Sequence, residues 1–422
     1  MPNISKRINR VLGVLLALTI LNIFLGTSVV FFGSETERIR KFSRAYEFNY
    51  LEWELNAFLQ KSIQAATKAE KLLSHSQQAH LVNDSILTVR EQNQLEFDLK
   101  NALASPDKAE ARKANQIKVL LDQKNAELKV LSALAEAVIQ NQTERILVGQ
   151  RFGVGGQIMP PVLYQISEMP LNLIVSPRTE IKSIFETNLE PGIDALEKNR
   201  IEEGIRQDYD LSALVEPIGG LGAYPTMVMQ TTDLAWLLDT VAHEWTHNWL
   251  SFHSLGLRYF DSGEMRTVNE TTASISGREI SLELLKVWYP NLLPSSANAD
   301  QPKTKKMPFV QHEEPFNFRK EMHATRVKVD ALLAEGKVDE AETYMEERRL
   351  FFWQKGYLLR KINQAYFAFY GSYNDIPGGG ASGNDPVGPA VQQYRKQFSA
   401  FHDFLVSISS VKSFDDLKAR LQ

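Results

Sequence analysis

The chain has 422 residues, of which 43% are hydrophobic and 23% charged, a balance that suits a folded protein of two or three domains and excludes a disordered or fibrous one. Its 47 basic and 51 acidic residues leave a net charge of −4, too balanced for a nucleic-acid binder, and no basic run is present to follow a phosphate backbone. There is no cysteine, so disulfides, thiolate nucleophiles and Cys-based metal sites are excluded, and any metal must be held by histidine and carboxylate.

In chain order, the first feature is an uncharged apolar run from Val11 to Phe32. At about 1.5 Å per residue, a helix over this run reaches across a hydrocarbon core of about 30 Å. The expectation is a transmembrane helix at 11–32, preceded by a cytoplasmic tail at 1–10 that carries Lys6, Arg7 and Arg10. That makes the membrane a partner and places the rest of a single-pass protein outside the cytoplasm. Gly26-Thr27-Ser28 leaves a cleaved signal peptide as the alternative.

From 36 to 148 the sequence is nearly free of Gly and Pro and reads as a helical, coiled-coil-like stalk. Leu55, Leu59, Ser62, Ala66, Ala69 and Leu73 step by four and three, and so do Ile117, Leu121, Lys124, Leu128, Leu131, Ala135 and Val138. Such seams predict long antiparallel helices, with self-association through the stalk as a partner expectation. Ser105-Pro106-Asp107 has the chemistry of a helix start. Gly149 to Pro161 breaks the period and is read as a boundary, with a second domain at 150–422.

That domain is expected to be mainly α with a small β-sheet. An extended run covers Val162 to Val175, a helix-rich stretch continues to about Val215, and a short strand lies within Ala223–Gln230. Thr232 or Asp233 caps a helix that ends near Leu250, and a further helix covers Thr267 to Trp288. Ser295 to Pro315 reads as a surface loop. Helices then follow at about 318–334, 338–354, 357–370, 390–407 and 413–421, with Gly336 and Gly356 as C-terminal caps.

The chemistry concentrates in His243-Glu244-Trp245-Thr246-His247. Histidines four apart lie about 40° apart on one helix face, so both imidazoles can ligate one ion. Glu244 is placed to serve as general base toward a water that the ion activates. Leu237, Leu238, Val241, Ala242, Trp245, Trp249 and Leu250 make this a buried helix, where a row of His, Glu and His needs a compensating partner such as Zn2+. Two residues compete for the third ligand. Glu270, in the next helix, can point back at the ion. His253 has the spacing of another zincin class, but that class turns the chain with a Gly where this sequence has Leu250. Were the helix to continue, His253 would sit about 240° round from His247. Glu270 is therefore preferred, with His253 as the alternative.

His243, Glu244, His247 and the run Asn269-Glu270-x-x-Ala273 resemble the gluzincin metallopeptidases, over about residues 220–290. The Asn363-Gln-Ala-Tyr366 segment is more loosely similar to bacterial predicted aminopeptidases of that group. The resemblance implies a zincin-like catalytic domain in which His243, His247 and Glu270 bind zinc, Glu244 is the base, and a peptide or protein is the substrate. Two features depart from the pattern. Gly222-Ala223-Tyr224-Pro225-Thr226 lacks the Glu that grips a free amino terminus, and Ser274 stands where an Asp orients a zinc histidine. Tyr366 and Tyr370 are the candidate oxyanion donors, with Tyr373, Arg326 and His323 behind them. The expected function is zinc-dependent peptide hydrolysis. The alternatives are hydrolysis of another amide, or a metal-stabilised binding module whose stalk is the functional part.

Overall fold

The computed structural model describes residues 35–104, 108–153, 155–218, 220–221, 223–293, 316–371 and 386–421. It divides into two units, residues 1–46 and 47–422. In the first, the described part is helix α1 (Glu35–Arg40) and a 3-10 turn at Arg44–Tyr46, with Arg44 ion-paired to Glu37. The second unit is mainly helical with two small sheets, which agrees with the expectation of a mainly α chain carrying a small β-sheet.

Among the described residues no helix is long and apolar enough to cross a membrane, which corrects the expected single-pass placement outside the cytoplasm. The helices with sufficient length carry too much charge, as Arg90, Glu91, Glu96 and Asp98 illustrate within α3 (His75–Ala104). The apolar run at Val11–Phe32 lies outside the described residues.

Helix α2 (Tyr50–Thr67) starts at Asn49, whose side chain accepts from Glu52 N. Its expected seam is not its inner face: Leu55 and Leu59 are 63% and 62% exposed, whereas Ala57 and Lys61 are buried. A polar anchor sets this rotation. The Lys61 ammonium pairs with Glu136 on helix α4 (Lys108–Gly149), and Gln64 Nε2 donates to Ala133 O at 2.9 Å. The other oxygen of Glu136 accepts from Ile166 N at 2.8 Å. A buried carboxylate needs such partners, and meeting that need turns Lys61 inward.

Helices α3 and α4 form an antiparallel hairpin. Lys124 pairs with Glu91 at 2.7 Å, and nearer the other end Val82 and Ile86 share one apolar cluster with Ala135, Val138 and Ile139. Here the predicted seam is the inner face, with Leu128, Ala135 and Val138 buried. Ser105-Pro106-Asp107 lies outside the described residues.

Two three-stranded sheets follow. One has the order β1-β6-β5: β1 (Tyr164–Ser167) runs parallel to β6 (Thr226–Met229), and β5 (Gly220–Leu221) pairs antiparallel with β6 in the register Leu221↔Met227. The other is antiparallel, with β2 (Leu171–Pro177) between β3 (Phe185–Leu189) and β4 (Leu211–Pro217). Strands β3 and β4 therefore stand within the stretch expected to be helix-rich, where helix is confined to α5 (Ala195–Tyr209). Sheet pairing decides this: Ala213, Leu214 and Val215 are buried against β2, a partner too distant in sequence for local periodicity to reveal.

Helices α6 (Leu234–Leu250), α7 (Ser254–Leu257) and α8 (Gly263–Trp288) come next, capped by Asp233 on α6 and Ser262 on α8. The C-terminal helices are α9 (Phe318–Ala334), α10 (Val338–Gln354), α11 (Gln364–Tyr370), α12 (Val387–Arg395), α13 (Phe401–Ile408) and α14 (Phe414–Leu421). Gly336 and Gly356 have φ of +74° and +90°, which supports their expected role as left-handed caps. The single helix expected at 390–407 is two, because Arg395 turns the chain: its guanidinium donates to Phe398 O at 2.6 Å and pairs with Glu279 on α8. Helices α9 to α11 share an apolar cluster with Ile174 of β2 and Leu214 of β4, while α12 to α14 join the cluster of α6, α8 and the hairpin.

Candidate metal centre

Helix α6 exists because its apolar residues have somewhere to go. Leu237, Leu238, Val241, Ala242, Trp245 and Leu250 are buried, and Trp245 Nε1 donates to Pro160 O at 2.9 Å. Helix α8, packed beside it, is unusual in burying small polar residues. Thr267, Thr272 and Ser276 return their hydroxyls to the carbonyls of Gly263, Val268 and Thr272 at 2.7–3.0 Å, so they enter the interior satisfied. Gly277 permits the close approach. A Cβ there would stand 2.8 Å from Asp239 O and 3.2 Å from the His243 Cβ.

This packing brings His243, His247 and Glu270 together. The two Nε2 atoms are 3.1 Å apart, and each is 3.5 Å from Glu270 Oε2. Nitrogen and oxygen donors about 2.0–2.2 Å from one tetrahedral centre lie about 3.3–3.6 Å from each other, so the observed triangle fits a single divalent ion. A second observation agrees. Glu270 is only 3% exposed, and its Oε2 has no hydrogen-bond partner, an arrangement that a cation would resolve.

The surroundings orient the donors. Asn269 Nδ2 donates to Leu255 O at 3.3 Å, which leaves Asn269 Oδ1 to accept from His247 Nδ1 at 2.7 Å. His247 thereby keeps its Nε2 toward Glu270. Tyr259 Oη donates to Glu270 Oε1 at 2.6 Å. Burial disfavours the charged form of His247, but the Glu270 carboxylate outweighs it and pushes the imidazole up to about 9. Burial likewise opposes ionisation of Glu270, and the two imidazoles, His247 first, override it and hold the carboxyl well below its usual range.

Glu244 is 7% exposed and is not a member of the trio. Burial raises its pKa, with the neighbouring imidazoles opposing and Glu270 adding. Its carboxylate lies against Gly220 of β5, where a Cβ would fall 2.4 Å from Glu244 Oε1. A side chain at this position would have to push the Glu244 carboxylate aside.

His253 goes elsewhere. It is the residue that precedes α7; its Nδ1 donates to Trp249 O at 2.9 Å and its ring stacks on Trp249 at 3.8 Å. Tyr366 and Tyr370 belong to the other apolar cluster, where Tyr370 Oη donates to Glu216 Oε2 at 3.3 Å; burial, then Glu216, pushes both phenols up. Arg326 is engaged with Asp330 and with Phe367 O, and Tyr373 lies outside the described residues. Tyr259, eleven residues before Glu270, has no motif around it, and nothing in the sequence marks it.

No family model, no curated protein and no solved structure matches this chain.

Proposed function

We propose that His243, His247 and Glu270 form the zinc site of a gluzincin-type hydrolase that cleaves peptide bonds in peptides or proteins, with a zincin-like arrangement of α6 and α8. The observation that carries this reading is the triangle of donors, with the buried Glu270 Oε2 at one corner, and Glu244 next along the helix. Zinc held there supplies Lewis-acid polarisation of a carbonyl and lowers the pKa of a water toward about 7.

The protein's own residues account for the rest. His243 and His247 offer their Nε2 atoms to the ion, and Asn269 Oδ1, against His247 Nδ1, orients the second ring. Glu244 takes the proton of the attacking water and hands it to the leaving amine. Its burial, which raises its pKa, favours holding that proton in transit. Strand β5 is the edge of its sheet, and Gly220 sets its backbone against Glu244. An edge strand offers main-chain partners to an extended peptide, which favours a polypeptide substrate over a small amide.

Glu244→Gln tests the reading, since it keeps size and shape but removes the base. Zinc content and thermal stability should stay near wild type, while turnover of a mixed peptide library, read by mass spectrometry, falls by at least about 100-fold. Loss of zinc in this variant, or undiminished cleavage, would refute the assignment.

A further inference from the structure

The two oxygens of Glu270 face different neighbours. Oε2 lies 3.5 Å from each imidazole, and Oε1 accepts the Tyr259 hydroxyl at 2.6 Å. Tyr259 is itself held. Its backbone N donates to Gly256 O at 3.1 Å, and the guanidinium of Arg266, which pairs with Glu186 on β3, lies 5.7 Å from its ring. The ring also meets that of His247 edge-on at 6.2 Å.

A buried carboxylate with one anchored oxygen cannot rotate freely about its terminal bond, because rotation would break a charge-assisted hydrogen bond of the short, strong kind. We infer that Tyr259 is a positioning residue that makes Glu270 a one-oxygen metal ligand, presenting Oε2 to the ion and withholding Oε1. The inference rests on the metal-centre reading above. It gives Tyr259 a task that its lack of any motif conceals, and it explains why Tyr259, half-buried in an otherwise exposed loop between α7 and α8, reaches a deeply buried acid. Ligand carboxylates whose partners are removed typically lose 10- to 100-fold in metal affinity, an order-of-magnitude expectation for this contact.

The test is a double-mutant cycle on the full chain, with zinc affinity measured by competition against a chromophoric chelator. Tyr259→Phe keeps the ring and removes only the hydroxyl. It should raise the zinc dissociation constant by about 10- to 100-fold. In a Glu270→Ala background, where the two imidazoles alone set a weaker affinity, the same substitution should change nothing. Wild-type affinity in Tyr259→Phe overturns the inference. So does a loss that persists without Glu270, because Tyr259 would then act by another route. A wild-type protein that binds no zinc removes the metal-centre reading itself, and this inference with it.

Discussion

His253 lies six residues beyond His247, and in sequence it competes with Glu270 for the third position. Backbone conformation separates them. Leu250 stays helical, and His253 is extended, with φ of −128° and ψ of 163°, so that its ring turns back onto Trp249. Glu270→Ala should therefore strip zinc at chelator concentrations the wild type withstands, whereas His253→Ala keeps wild-type metal content. Elemental analysis after dialysis decides between them, and the reverse result would exchange the two roles. His247 yields a pH prediction as well. Its folded pKa of about 9 exceeds the ordinary value near 6.5, so in metal-stripped protein its pairing with Glu270 contributes full stability below about 6.5 and loses it as pH rises through about 9. Zinc must displace that proton, so binding at pH 7 should release one proton and weaken further as pH falls. Calorimetry in buffers of different ionisation enthalpy reads this directly; binding with no proton release would contradict it.

At the scale of the element, rotation of a helix about its axis is the property that sequence periodicity assigned wrongly in α2 and rightly in α4. The α4 seam packs against α3, a neighbour in sequence, and apolar spacing suffices to choose the face. Helix α2 is set by Lys61 and Glu136, 5% and 4% exposed, with Gln64 beside them. Burial lowers the Lys61 pKa and Glu136 opposes it, so the ammonium depends on that one carboxylate. Glu136→Leu leaves the cation buried beside Gln64 Oε1 with no carboxylate partner and should cost about 3–5 kcal/mol in denaturant unfolding. Adding Lys61→Met should recover most of the loss, since a matched apolar pair avoids both desolvation penalties. A double variant no more stable than the single one would show that the anchor is not electrostatic.

For the molecule as a whole, the question is whether the hairpin is an appendage or part of the body that holds the His243, His247 and Glu270 trio. Val82, Ile86, Val138, Ile139 and Leu147 share an apolar cluster with Leu237, Val241 and Trp245 of α6, and Phe152 sets its ring against Trp245 and Trp249 at 5.9 and 5.7 Å. A fragment that begins at residue 150 exposes that side of α6. It should melt without cooperativity and fail to retain zinc, whereas a fragment of 47–422 should melt cooperatively and keep zinc; circular dichroism melts and metal analysis compare them. Cooperative unfolding of the shorter fragment would make the hairpin dispensable. The helical class, the ends of α6 and the two histidines on one face were legible in the residues alone, because capping, periodicity and four-residue spacing are local and survive in any surroundings. The sequence also pointed to Glu270. Packing was needed to make β3 and β4 strands, to turn Lys61 of α2 inward, to set Gly220 against Glu244 and Gly277 against Asp239 and His243, and to bring Tyr259 onto Glu270. Each of these depends on a partner far along the chain, and local sequence carries no record of which distant surface will meet it.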